Sequence, residues 1–160
     1  MQSLMSLINQ LLEKVLITLM AAIVVVVTWQ VFSRFILQSP SSYTEELARF
    51  LLIWIGVLGA AYAYKNKAHL GLDILVERIP EQSKWPVLVL IELLVIVFAA
   101  SILVYGGSLL VWMTLDLNQI SASLEIKVGL VYSVLPLSGV LILMYCVTNI
   151  SKILAEKGAA

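Results

Sequence analysis

The apolar positions of this chain fall into four long runs, at about 15–36, 43–64, 85–110 and 128–150, separated by three polar links. Each run is long enough to cross a hydrocarbon core about 30 Å thick. Between Phe50 and Tyr64 no charge interrupts the sequence. A water-soluble helix keeps one polar face, so apolarity all round points to a lipid solvent. The pattern predicts an all-α integral membrane protein with four transmembrane helices, forming a single membrane-embedded domain over residues 1–160. Ahead of the first run, Leu4, Met5, Ile8, Leu11, Leu12 and Val15 share one helical face. They could lie in the interface, but nothing breaks the helix before Val15, so an extension of the first span is expected.

The links carry the turn chemistry. Pro40 disfavours helix at Ser39, and the flanking serines compete for backbone groups. Ser42, with Glu45 three residues on, forms a capping-box pattern and predicts a second helix starting near Tyr43. Residues 65–84 are the most charged link. Leu72, Leu75, Val76 and Ile79 share a face there, predicting a short amphipathic helix on the membrane surface at about 70–79. The third span starts near Trp85 and Pro86 and is expected to continue past Gly106 and Gly107, projecting beyond the membrane. Residues 116–127 form a polar link of little net charge. Pro136 removes a backbone donor and predicts a kink near Tyr132.

Composition strengthens the membrane reading. Hydrophobic residues make up 61% of the chain and charged residues 12%, about half the charge usual in a soluble domain. Net charge is zero with no basic cluster, which argues against nucleic acid as a partner. One histidine and one cysteine cannot build a His/Cys metal cluster, an internal disulfide or a bis-histidine haem site. No cofactor is expected. The first run lacks a small-residue cleavage site followed by a soluble domain, so it is expected to be retained. Both termini and link 65–84 share one side. That side carries Lys14, Lys65, Lys67, Arg78, Lys84, Lys152 and Lys157, against Arg34, Arg49 and Lys127 opposite. The imbalance predicts both termini in the cytoplasm.

Few residues offer chemistry. There is no nucleophile–base pair, phosphate loop or metal spacing, so no catalytic or substrate-binding residue is assigned. Arg34 is an interfacial anchor or a partner contact. Glu45 and Glu46 occupy the first turn of the second helix, where its dipole favours acids, and Glu45 can pair with Arg49 four residues on. Gly56 with Ala60, and Gly59 with Ala63, form a small-residue line that would let another helix approach closely. His69, beside two lysines, reads as a solvated structural residue rather than a proton handler. Glu92 is the single charge well inside a span, in the half nearer the termini. It should meet Lys65 or a polar residue at the end of the second span. A polar rim around an apolar body suits an auxiliary subunit better than a catalyst. The rival reading is a self-contained, proton-coupled transporter using Glu92.

Several of these residues also carry a family resemblance. Ser33-Arg34-Phe35 and a turn precede Thr44-Glu45-Glu46-Leu47-Ala48-Arg49. Trp54, Gly59-Ala60-Ala61, a basic residue, His69 and Asp73 follow, then Leu124-Glu125-Ile126 and Leu135-Pro136. In order and spacing, from Ser33 to Leu141, this resembles the DctQ-like small membrane subunit of tripartite ATP-independent periplasmic (TRAP) transporters. Tyr43 departs from it, since the family often has tryptophan before the acidic pair. The resemblance implies a bacterial inner-membrane subunit without its own substrate site. Its partners would be a large TRAP membrane subunit holding the substrate and sodium sites, and a periplasmic substrate-binding protein. The cargo would be an organic acid such as sialic acid or a dicarboxylate, with overall resemblance favouring sialic acid. It further implies that Arg34, Glu45, Glu46 and Arg49 cluster at the periplasmic rim, and that the chain anchors and enlarges the partner's scaffold.

Overall fold

A computed structural model describes residues 2–66 and 81–158. The surface helix expected at 70–79, with His69 and Asp73, lies outside the described residues. Among the described residues, four helical stretches are long and apolar enough to cross a membrane: Met5–Phe35, Ser42–Lys65, Lys84–Asp116 and Val128–Leu154.

Helix α1 (Gln2–Phe35) is continuous through 34 residues. The preamble therefore does extend the first span, and at 1.5 Å per residue the helix is about 51 Å long. The chain then turns through Gln38 in the left-handed region, and the Ser39 N–H returns to the Ser33 carbonyl at 3.1 Å. Helix α2 (Ser42–Lys65) is capped one residue earlier than the capping-box pattern suggests. Ser41, not Ser42, has the extended backbone of a cap, and its hydroxyl accepts from the Thr44 N–H. That leaves Glu45 available to pair with Arg49 at 3.6 Å.

The third span begins at Glu81, before Trp85, so Pro86 lies inside helix α3 (Glu81–Phe98) rather than at its start. The span changes to π-helix over Ala99–Gly106 and returns to α-helix as α4 (Gly107–Asp116). It thus runs past the two glycines, beyond the boundary near residue 110, and its backbone changes character there. The fourth span is divided into α5 (Val128–Tyr132) and α6 (Val134–Gly158), with the interruption at Ser133. Pro136 accounts for it: the missing N–H leaves the Tyr132 carbonyl without its helical donor.

The fourth span is the most buried of the four and the first the least. Helix α6 packs on α2, α3 and the π segment, whereas α1 packs chiefly on α2. One buried cluster, near the termini, joins Ala61, Tyr64, Ala99, Ile142, Tyr145 and Cys146; a second joins Leu12, Leu58 and Val134. Lipid is as apolar as these side chains, so close packing and hydrogen bonds between helices hold such a bundle. Among the described residues, close packing centres on three glycines. A Cβ on Gly139 would lie 2.8 Å from both Leu103 Cβ and Val104 Cγ2, and one on Gly107 would lie 2.9 Å from Leu135 Cβ. One on Gly129 would lie 2.6 Å from Leu115 Cγ. At Gly56 and Gly59, where close approach was expected, a Cβ would meet nothing within 4 Å. Within this chain Gly56 and Gly59 are not points of close helix contact.

Candidate functional site

Polar side chains within the spans are used to join helices. Nearest the termini, Glu92 of α3 is buried with both carboxylate oxygens engaged. The Tyr64 hydroxyl donates to Oε2, and Asn149 Nδ2 donates to Oε1 at 3.0 Å. Tyr64 Oη also lies 3.1 Å from the buried Cys146 Sγ. One turn away the Tyr145 hydroxyl donates to Asn9 Oδ1 at 2.8 Å, bringing in α1. Thus Glu92 meets a polar residue at the end of the second span. Lys65 instead lies over the Tyr62 ring, 4.9 Å from its centroid. This cluster ties all four spans at one level.

Two further bonds join the second and fourth spans. Trp54 Nε1 donates to the Val131 carbonyl at 3.0 Å, and Ser138 Oγ donates to the Val57 carbonyl at 2.9 Å. Trp54 is a partner that sequence reasoning missed. The signal was present: a tryptophan half-buried away from the belt needs an acceptor for its N–H, and a proline break in a facing helix disturbs carbonyl pairing nearby.

The opposite, loop end holds the charged residues singled out from the sequence, but it does not use them alike. Arg34 is exposed, and Glu45 and Arg49 form an exposed pair. Glu46 points inward to the 117–127 link, where its Oε2 accepts the Ser123 N–H at 2.8 Å and the Leu124 N–H at 3.0 Å. Successive backbone N–H groups turned toward one anion form a concave nest. The link itself is compact: Ile120 and Lys127 bridge antiparallel, and the Ser121 N–H reaches the Ile126 carbonyl at 2.9 Å. Asn118 and Glu125 are both in the left-handed region. Asparagine tolerates that; glutamate at φ 54° costs about 1–2 kcal/mol, so surrounding bonds must hold it there.

Along α2, Glu45, Arg49, Leu52, Gly56 and Ala60 form one exposed face, with Gly59 and Ala63 half-buried beside it. The ion pair and the small-residue line therefore share a side of the molecule. An exposed pair of this kind contributes about 0.3–0.5 kcal/mol. Replacing Glu45 and Arg49 together by glutamine should leave the unfolding midpoint of the isolated chain within about 0.5 kcal/mol of the parent, measured by SDS titration in detergent. A larger loss would mean the pair helps hold the fold.

Comparison with known proteins agrees with this architecture. A family model described as "Tripartite ATP-independent periplasmic transporters, DctQ component" matches residues 23–156. The chain is 33% identical over 106 residues to the sialic acid TRAP transporter small permease protein SiaQ of Vibrio cholerae, covering 66% of this chain and 61% of that protein. It is 30% identical over 125 residues to the isethionate TRAP transporter permease protein DctMQ of Oleidesulfovibrio alaskensis, covering 74% of this chain and 20% of that one. It is 34% identical over 93 residues to the sialic acid TRAP transporter permease protein SiaT of Haemophilus influenzae, covering 58% and 15% respectively. The chain thus spans about three fifths of the Vibrio protein and a fifth or less of the other two. Matched over most of its length, with its four spans inside or overlapping the matched stretch, the chain belongs to the DctQ component family of the tripartite ATP-independent periplasmic transporters.

Proposed function

We propose that this chain is the small permease subunit of a sodium-driven, binding-protein-dependent uptake system for organic acids, sited in the bacterial inner membrane with both termini cytoplasmic. One observation carries the reading. The Vibrio relative, 33% identical, is named a small permease protein. A small permease subunit implies a large one as its companion. The names of the Vibrio and Haemophilus relatives favour sialic acid over dicarboxylates as cargo.

The role is that of a fixed scaffold, not a substrate carrier or an enzyme. Glu92, the one charge deep in the spans, has both oxygens occupied by Tyr64 and Asn149, which favours a structural use over proton coupling. The exposed face of α2, with Gly56 and Ala60 below the Glu45–Arg49 pair and the half-buried Gly59 and Ala63 beside them, is the side on which a helix of the large subunit would approach closely. Arg34, Glu45 and Arg49 would then stand at the periplasmic rim, within reach of the soluble binding protein, while Glu46 is engaged in the chain's own loop.

The test is reconstitution. Proteoliposomes holding this chain, a large TRAP membrane subunit from the same organism and its binding protein should take up labelled sialic acid down a sodium gradient. Omitting this chain should abolish uptake. Robust uptake or proton flux by this chain alone would overturn the proposal and revive the self-contained transporter. Uptake of a dicarboxylate or sulfonate instead would change only the cargo.

A further inference from the structure

The loop end contains a substructure set apart from the rest. Helix α4, the 117–127 link and α5 make a helical hairpin over residues 107–132. Helices α4 and α5 pack chiefly on each other, α4 also on the π segment that leads into it, and the pair only slightly on α2 and α6. Gly129 seats against Leu115 and Thr114 inside this hairpin. The link closes it further, with the Gln119 N–H on the Thr114 carbonyl and the Val128 N–H on the Gln119 carbonyl, both at 3.0 Å.

Both ends of the hairpin are backbone irregularities. On the entering strand, the π segment Ala99–Gly106 meets α4 at Gly107, whose N–H reaches back to the Ile102 and Val104 carbonyls. On the leaving strand, helix is interrupted at Ser133 ahead of Pro136. The two irregularities face each other, because Gly107 seats against Leu135 and Pro136. Breaks in the α-helical ladder concentrate bending at a few residues. Two side chains of α2 hold the hairpin down: Glu46, through the Ser123 and Leu124 N–H groups, and Trp54, through the Val131 carbonyl.

We propose that residues 107–132 form a hinged flap, pivoting at Gly107 and Ser133 and latched onto α2 by the Glu46 carboxylate. Opening the latch frees two N–H groups, relaxes Glu125 from its left-handed conformation and changes the surface presented by Glu125, Ile126 and Lys127. The α2–α3–α6 body near the termini keeps its Glu92 cluster throughout. Glu46 is thus a positioning residue for a movable part, and this inference stands on the geometry whether or not the transport reading holds.

Hydrogen–deuterium exchange on the purified full chain in nanodiscs tests it. In Glu46→Ala, the Ser123 and Leu124 amides should exchange about ten- to a hundredfold faster, the range expected from losing bonds to a charged acceptor. The amides of 107–110 and 128–133 should accelerate with them, while 88–98 and 138–150 keep the parent rate. Glu46→Gln retains one acceptor oxygen and should give a smaller change in the same segments. Trp54→Phe, which removes the second hold, should accelerate the same set. Acceleration confined to 121–125 would show a local loop tie without a hinge and overturn the proposal. Uniform acceleration across the chain in both Glu46 variants and in Trp54→Phe would also overturn it, showing one cooperative unit.

Discussion

Gly139→Ala is expected to destabilise the isolated chain by about 1–3 kcal/mol, the usual cost of forcing a methyl group into a filled contact. The added carbon would lie 2.8 Å from Leu103 Cβ and Val104 Cγ2 and 3.1 Å from the Val104 backbone nitrogen. A side chain can swing aside, but Leu103 Cβ and the Val104 nitrogen move only with the helix backbone. Gly107→Ala should cost a similar amount, since Leu135 Cβ at 2.9 Å and the Pro136 ring at 3.1 Å are equally fixed. Gly129→Ala should cost less, because Leu115 offers its side chain as the obstacle. Gly56→Ala and Gly59→Ala, with open space around them, should leave the isolated chain unchanged or slightly more stable. SDS titration followed by tryptophan fluorescence gives this ranking directly. In the assembled transporter the order should alter: if the exposed face of α2 receives the large subunit, Gly56→Leu will weaken assembly while leaving the free chain folded. Normal copurification of that variant would remove α2 from the interface.

Glu92→Leu is expected to cost about 1–3 kcal/mol for each donor left without an acceptor, with both Tyr64 and Asn149 affected. Membrane reference states find substitute partners, so the loss should fall toward the lower part of that range. Glu92→Gln should behave differently. The glutamine oxygen can still accept from Asn149, and its amide can donate to the Tyr64 oxygen while the Tyr64 hydroxyl turns toward Cys146 Sγ, 3.1 Å away. Every group then keeps a partner, and stability should stay within about 1 kcal/mol of the parent. Uptake by the assembled system should persist in Glu92→Gln. Loss of uptake with normal folding and assembly would show that the proton-binding capacity of Glu92 matters, and the scaffold reading would fail.

The spans were legible because lipid imposes a coarse rule, long apolar runs, that single residues seldom blur. The interruption before Pro136 was legible for a similarly local reason, a missing N–H. Glu92's neighbourhood followed from topology: antiparallel spans put the start of the third beside the end of the second. Partner choice was harder to read. Glu46 and Glu45 are adjacent acids in one first turn, yet the 100° between them sends one carboxylate to solvent and the other to the 117–127 link. The partner of Glu46 is backbone N–H, which every non-proline residue carries, so composition gives no sign of it. The glycines packed within the chain were hidden for a related reason. Gly56 and Gly59 form a recognisable four-residue spacing with alanine, whereas Gly107 and Gly139 match only each other's surroundings across two different helices. Ser41 and Ser42 are interchangeable as caps by type; the path of the turn after Pro40 decides between them.

The Glu92 cluster also constrains the order in which the chain can settle during its own synthesis. Tyr64 precedes Glu92 by 28 residues, so one acceptor bond can form as soon as the third span enters the bilayer. Asn149 lies 57 residues further on, which at ribosomal speed is a delay of about 3–11 s. Through that interval the carboxylate has one of its two donors. The buried carboxylate is therefore fully satisfied only when the fourth span arrives, so the last helix completes the polar cluster as well as the packing.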